Sequence, residues 1–107
     1  MPAIGQVTMQ NDGSYKGHLS TLCFSAPIEI LVNTAKREYN QPDYRVFSRM
    51  VEVGAGWVRT GQTSGADYIC LSLADPVFGP KKLYANLGRA AGQDEKDVFA
   101  VIWNPSD

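Results

Sequence analysis

Apolar and polar residues alternate along most of this chain with a period of two. From Val51 to Trp57 one face of the alternation carries Val51, Val53, Ala55 and Trp57, and the other carries Glu52, Gly54 and Gly56. Successive side chains of a strand point to opposite faces, so this period predicts half-buried β-strands rather than helices. The same alternation runs through "YKGHLSTLCF", where Leu19, Thr21 and Cys23 stand opposite His18, Ser20 and Leu22. In "IEILVN" Ile28, Ile30 and Val32 alternate with Glu29 and Leu31, and in "DYICLSL" Ile69, Leu71 and Leu73 form one apolar face. "AIGQVTM" and "KLYANL" are shorter runs of the same kind, and "VFAVIWN" is apolar on both faces, as a central strand is.

Turn chemistry separates these runs. "NDG" (Asn11 to Gly13) favours positive φ. Thr34 to Asp43 is polar, has no apolar face at helical spacing and closes on Pro42, which predicts a solvated loop. "GQTSGA", the proline-interrupted "ADPVFGPK" and "GRAAGQDEKD" punctuate the second half. The spacing predicts an all-β fold in one domain over residues 1–107. The expected architecture is a small antiparallel sandwich or barrel of seven to eight short strands, joined as a meander. Trp57 is expected to anchor the core of a hairpin against Ile69, Leu71 and Leu73, with Arg59 at the exposed hairpin end. The glycines at 54 and 56 predict a bulge or a close approach.

Composition narrows the function. The chain has 107 residues, 44% of them hydrophobic and 20% charged, enough for one core without staples. A formal net charge of -1 lacks the basic excess that dedicated duplex binders use against phosphate. Cys23 and Cys70 sit in apolar runs and are expected as buried free thiols. The N-terminus has no signal-like pattern, and no apolar run approaches the ~20 residues of a membrane span. A soluble cytoplasmic protein without membrane contact is therefore expected.

Catalytic chemistry is thinly supplied. His18 is the single histidine, so a zinc site or a nucleophile–histidine–acid arrangement lacks members. No glycine-rich phosphate loop is present. Asp43, Glu52, Asp67 and Asp75 fall at strand ends and turns, where carboxylates cap and solvate, and "DEKD" (Asp94 to Asp97) reads as a solvated tip. The expectation is a non-enzymatic protein with no cofactor and no metal. Aromatic and basic residues interleave instead. Tyr44, Arg45, Arg59, Tyr68, Lys81, Lys82 and Tyr84 are the candidate binding residues. Such residues make protein-interface hot spots, and they also stack bases and meet phosphates in single-strand-binding barrels. A protein partner is the first expectation and single-stranded nucleic acid the alternative. An enzyme or small-ligand binder using a pocket near Trp57 and Tyr84 is a third, lower expectation. An open sheet would also leave edges through which a homo-oligomer could form.

Five blocks occur in order: "PDYRVF", "VEVGAGWVRT", "DYICLSLADPVF", "LYANL" and "VFAVIWNP", after an opening "IGQVT" and "YKGHLSTL". Together they resemble the bacterial family named domain of unknown function 736, over nearly the whole chain. The family brings no assigned activity. The resemblance implies a small protein of mobile and conjugative elements. Small size, an acidic pI of about 5.7 and the missing catalytic constellation, taken with that setting, lead to the expectation of a module that binds a host or element protein, for example of defence or transfer machinery, with inhibition by occupancy as one way for it to act. The chain departs from the family pattern at Gly56, where Ala is usual, and at Val58 and Arg59, where Lys is usual. Its loop from Gly88 to Asp97 is also longer.

Overall fold

A computed structural model describes residues 3–22, 24–61, 65–88 and 97–103, with Phe78 described by its backbone alone. Eight strands follow one another: β1 Ala3–Met9, β2 Tyr15–Ser20, β3 Ser25–Val32, β4 Tyr44–Ser48, β5 Val51–Thr60, β6 Asp67–Leu73, β7 Leu83–Gly88 and β8 Val98–Trp103. A short 3₁₀ turn, Pro76–Phe78, lies between β6 and β7. Each strand pairs antiparallel with the next, and β8 pairs with β1, so the meander closes into a barrel. Closure removes the unpaired edges of an open sheet. An oligomer built by edge pairing therefore has no strand edge to use among the described residues.

The alternation read from the sequence lines the barrel interior. Val7, Ile28, Ile30, Val46, Leu71, Leu73 and Val101 are the large side chains sealed from solvent, and Leu19, Ala85 and Leu87 join them. His18 stands on the exposed side of β2, opposite Gln6 and Pro27.

One irregularity redirects β5. Val46 pairs with Gly54 but Phe47 pairs with Glu52, so Val53 is an extra residue in the ladder. Val53 packs on the core, and Gly54 stands opposite the sealed Leu73. Two consecutive residues thus face inward, as a β-bulge dictates, and the alternation restarts out of phase. Gly56 is then an inward position and Trp57 an outward one. A Cβ at Gly56 would come within 3.0 Å of Leu71 Cδ2 and 3.3 Å of Tyr44 Cβ, so these two side chains fill the space a larger residue would need. The expectation that Trp57 anchors the core fails for this reason.

The meander puts alternate connections at opposite ends. At one end, Tyr15 stacks edge-on against Tyr44 and Phe99, with ring centroids 6.1 and 5.6 Å away. Burial raises the hydroxyl pKa of both tyrosines. Asp12 forms a turn there by accepting from the amide and hydroxyl of Ser14, with Gly13 at positive φ. At the other end lies an apolar hollow of about 320 Å³ between Leu19, Phe24, Val53, Leu73 and Val77. Asp75 caps the 3₁₀ turn there by accepting from Val77 N–H at 3.0 Å. The β4–β5 hairpin also turns at that end through Arg49 and Met50, whose φ angles are 51° and 68°.

Candidate binding face

Outward positions of β4 to β7 form cross-strand rows. Arg45, Ala55, Ser72 and Tyr84 are successive neighbours in one row. Trp57, Cys70 and Asn86 make the next, and Arg59 with Tyr68 the one after. Cys70 is a free thiol, half-buried on this outer face rather than in the core. Cys23 lies outside the described residues, as does the tip at 94–96.

Trp57 is the centre of this face. The loop of residues 33–43 folds against it, and the indole Nε1–H donates to Asn40 O over a long 3.4 Å. The Arg59 guanidinium lies over the ring, 6.0 Å from its centroid, because residues two apart on a strand share a face. β5 runs past the start of β4, which leaves the Val58 N–H without a strand partner on that side. The Asp43 carboxylate accepts it at 2.9 Å, and the Asp43 N–H donates to Gly56 O at 2.9 Å. Lys36 reaches the other carboxylate oxygen. Asp43 is therefore the residue that ties the loop to β5.

A hollow opens on each side of Trp57. The first, about 360 Å³, lies between Lys36, Tyr39, Asn40, Asp43, Trp57 and Arg59. The second, about 310 Å³, has a floor of small residues, Ala55, Ser72 and Ala74, and walls of Trp57, Glu52 and Lys82. Both contain charges of both signs. Arg45 is held by Glu52 through two parallel bonds of 2.8 Å, and it lies 5.5 Å over the Phe47 ring. That pairing lowers the Glu52 pKa and raises that of Arg45.

Of the residues singled out by sequence, Arg45, Arg59, Tyr68, Lys82 and Tyr84 thus share the outer face of one four-strand segment. Tyr44 does not: it pairs opposite the inward Gly56 and packs against the core. Lys81 is exposed in the β6–β7 connection and lines neither hollow. Sequence reasoning passed over Lys36 and Asn40, assigned Asp43 only to turns and sent Trp57 inward. The readable signal was Asp43 itself, a carboxylate at the foot of a long polar loop.

Asp43 supplies a pH test. Its pKa is lowered from the ordinary 3.8, first by the Lys36 hydrogen bond and then by the Val58 N–H. A carboxyl held below its unfolded pKa stabilises the fold fully above the ordinary value, and loses that contribution as pH falls toward the folded value. Acidification below about pH 4 is thus expected to release the loop from Trp57. In a Trp103→Phe background, Trp57 emission should shift to the red through that range. Asp43→Asn should abolish the acid-dependent step. An emission spectrum indifferent to acid would disprove the role given to Asp43.

Among the described residues no group of three or more His, Cys, Asp and Glu is placed to hold a metal, and no helix is long and apolar enough to cross a membrane. The fold and this face define a small antiparallel meander barrel that displays an aromatic, mixed-charge surface on its outside. Residues 3–106 match the model of the family described as protein of unknown function (DUF736), and the chain belongs to that family. Comparison with curated proteins and with solved structures gave no match.

Proposed function

We propose that the protein is a non-enzymatic binding module that takes a segment of another protein on its Trp57 face. The observation that supports it is the charge distribution around the ring. Asp43 stands in one flanking hollow and Glu52 in the other, and each is ion-paired to the nearest base, Lys36 or Arg45. A phosphate backbone laid across Trp57 would meet a carboxylate on either side, whereas single-strand grooves rely on a basic track. A polypeptide offers both signs of charge and apolar side chains, and it finds here an aromatic wall, a small-residue floor and Arg59 and Lys82 at the rims. In keeping with the mobile-element setting that the family resemblance implies, the partner would be a host or element protein of defence or transfer machinery, inhibited by steric occupancy.

The immobilised protein is expected to retain a stoichiometric partner from a lysate of its native host. The double variant Trp57→Ala/Lys82→Glu should lose at least about tenfold of that retention, the effect of removing one aromatic hot spot. Trp57 lies outside the barrel core, so the variant's circular dichroism should match the parent's. Equal retention by the variant, or no stoichiometric partner at all, would sink the proposal. A labelled oligonucleotide bound at low salt and released steeply by added salt would instead establish the nucleic-acid alternative.

A further inference from the structure

The end of the barrel that carries the β4–β5 turn is self-complementary, and we propose that two copies of this chain associate head to head through it. This surface is separate from the Trp57 face, and its function does not depend on the one proposed there. Met50 stands at the hairpin tip with 95% of its surface exposed, and Leu22 in the β2–β3 connection is fully exposed. Val51 and Val77 are more than half exposed at the rim of the apolar hollow. Isolated exposed apolar residues are ordinary, but a set of them around a hollow marks an interaction site.

What identifies the occupant is that knob and hole lie on the same end. Met50 protrudes and does not line the hollow, while Arg49 and Val51 on either side of it do. A two-fold interface uses one patch twice, so the patch must contain both halves of every contact. Here a twofold would carry each Met50 into the hollow of the other copy. The charges obey the same rule. Arg49 and Asp75 both line the hollow, and neither makes an ion pair among the described residues. The twofold pairs Arg49 of each copy with Asp75 of the other. A net charge of -1 adds little repulsion between copies. The hairpin keeps two non-glycine residues in the left-handed region, which is the kind of strain that persists at sites of use.

Sedimentation across a dilution series tests this. The natural chain should show twice its monomer mass, falling to the monomer only on dilution, and Met50→Asp should remain monomeric. Arg49→Asp and Asp75→Arg should each be monomeric, because each sets like charges face to face. Mixed in equal amounts, they should form a heterodimer, since both ion pairs are then restored: the native Arg49 of one copy meets the native Asp75 of the other, and the second pair forms between the two substituted positions with its sign reversed. A natural chain that is monomeric throughout, single variants as dimeric as the parent, or a mixture that stays monomeric would each overturn the proposal. If loss of the cap unfolds Asp75→Arg, Met50→Asp alone decides. Trp57→Ala should leave the doubled mass unchanged, so failure at one surface is read apart from failure at the other.

Discussion

Gly17→Ala is expected to cost the barrel about 3 kcal/mol or more, out of the roughly 5–15 kcal/mol that a domain of this kind has. Gly17 sits in β2, directly opposite Val7 of β1 and Ile28 of β3. A Cβ there would come within 1.9 Å of Gln6 O, 2.7 Å of Val7 Cα and 2.8 Å of the Gln6 carbonyl carbon. All three are backbone atoms, so no rotamer change relieves the overlap. β1 would have to move away from β2, and β1 is also the strand that closes the barrel on β8. The clash therefore strains the closing seam as well as one ladder. Urea titration should show a midpoint lowered far below that of the natural chain, or no cooperative transition. His18→Ala is the matched control. Its side chain is exposed one position along the same strand, and the change should stay within about 0.5 kcal/mol. Equal midpoints for the two variants would show that β1 and β2 do not approach as described.

Local pattern carried the strands and lost the phase of one of them. Ile28 and Ile30, or Leu71 and Leu73, are sealed because alternation is a local property and their strands are regular. Trp57 is the seventh residue of β5 and keeps the parity of Val51 in the strand's own alternation, but a single extra residue at Val53 turns it outward. A bulge is specified by the register of the partner strand, which here depends on Val46 and Phe47 across the hairpin, and it leaves little local mark. Gly54 and Gly56 hinted at it. The choice between sandwich and barrel rested on the pairing of β1 with β8, a contact between the two ends of the chain that no short window contains. Tyr44 was legible in principle, since it has the parity of the sealed Val46 two residues on. The approach of Asn40 and Asp43 to Trp57 was not, because it depends on how an irregular loop returns. The ordered blocks carried family membership, and the family carries no activity with it.

Replacing Arg49-Met50 by Asn-Gly is expected to stabilise the protein while abolishing its self-association. A two-residue hairpin needs positive φ at both central positions to match the right-handed twist of its strands, and Asn-Gly satisfies that at little cost. Arg49 and Met50 adopt the same conformation at 51° and 68° with full side chains. For an ordinary residue the left-handed region costs about 1–2 kcal/mol, from the approach of Cβ to the carbonyl oxygen. Neither side chain makes a hydrogen bond among the described residues that would offset it, and Met50 is almost wholly in solvent. Relief of this strain should exceed the loss of whatever Arg49 contributes at the rim of the hollow. The expected gain is about 1–2 kcal/mol, a rise in Tm of roughly 5–15 °C for a domain near 100 residues. The comparison belongs at concentrations where the natural chain is monomeric, since association would otherwise raise its apparent stability. Sedimentation of the same variant should give the single-chain mass at every concentration, because knob and cation have both gone. If the variant gains no stability, the turn is not strained, and the hairpin tip loses its mark as a site maintained for contact. If it gains stability and still dimerises, association runs through another surface. A more stable monomer is the outcome that ties the strain at Arg49 and Met50 to the contact they make.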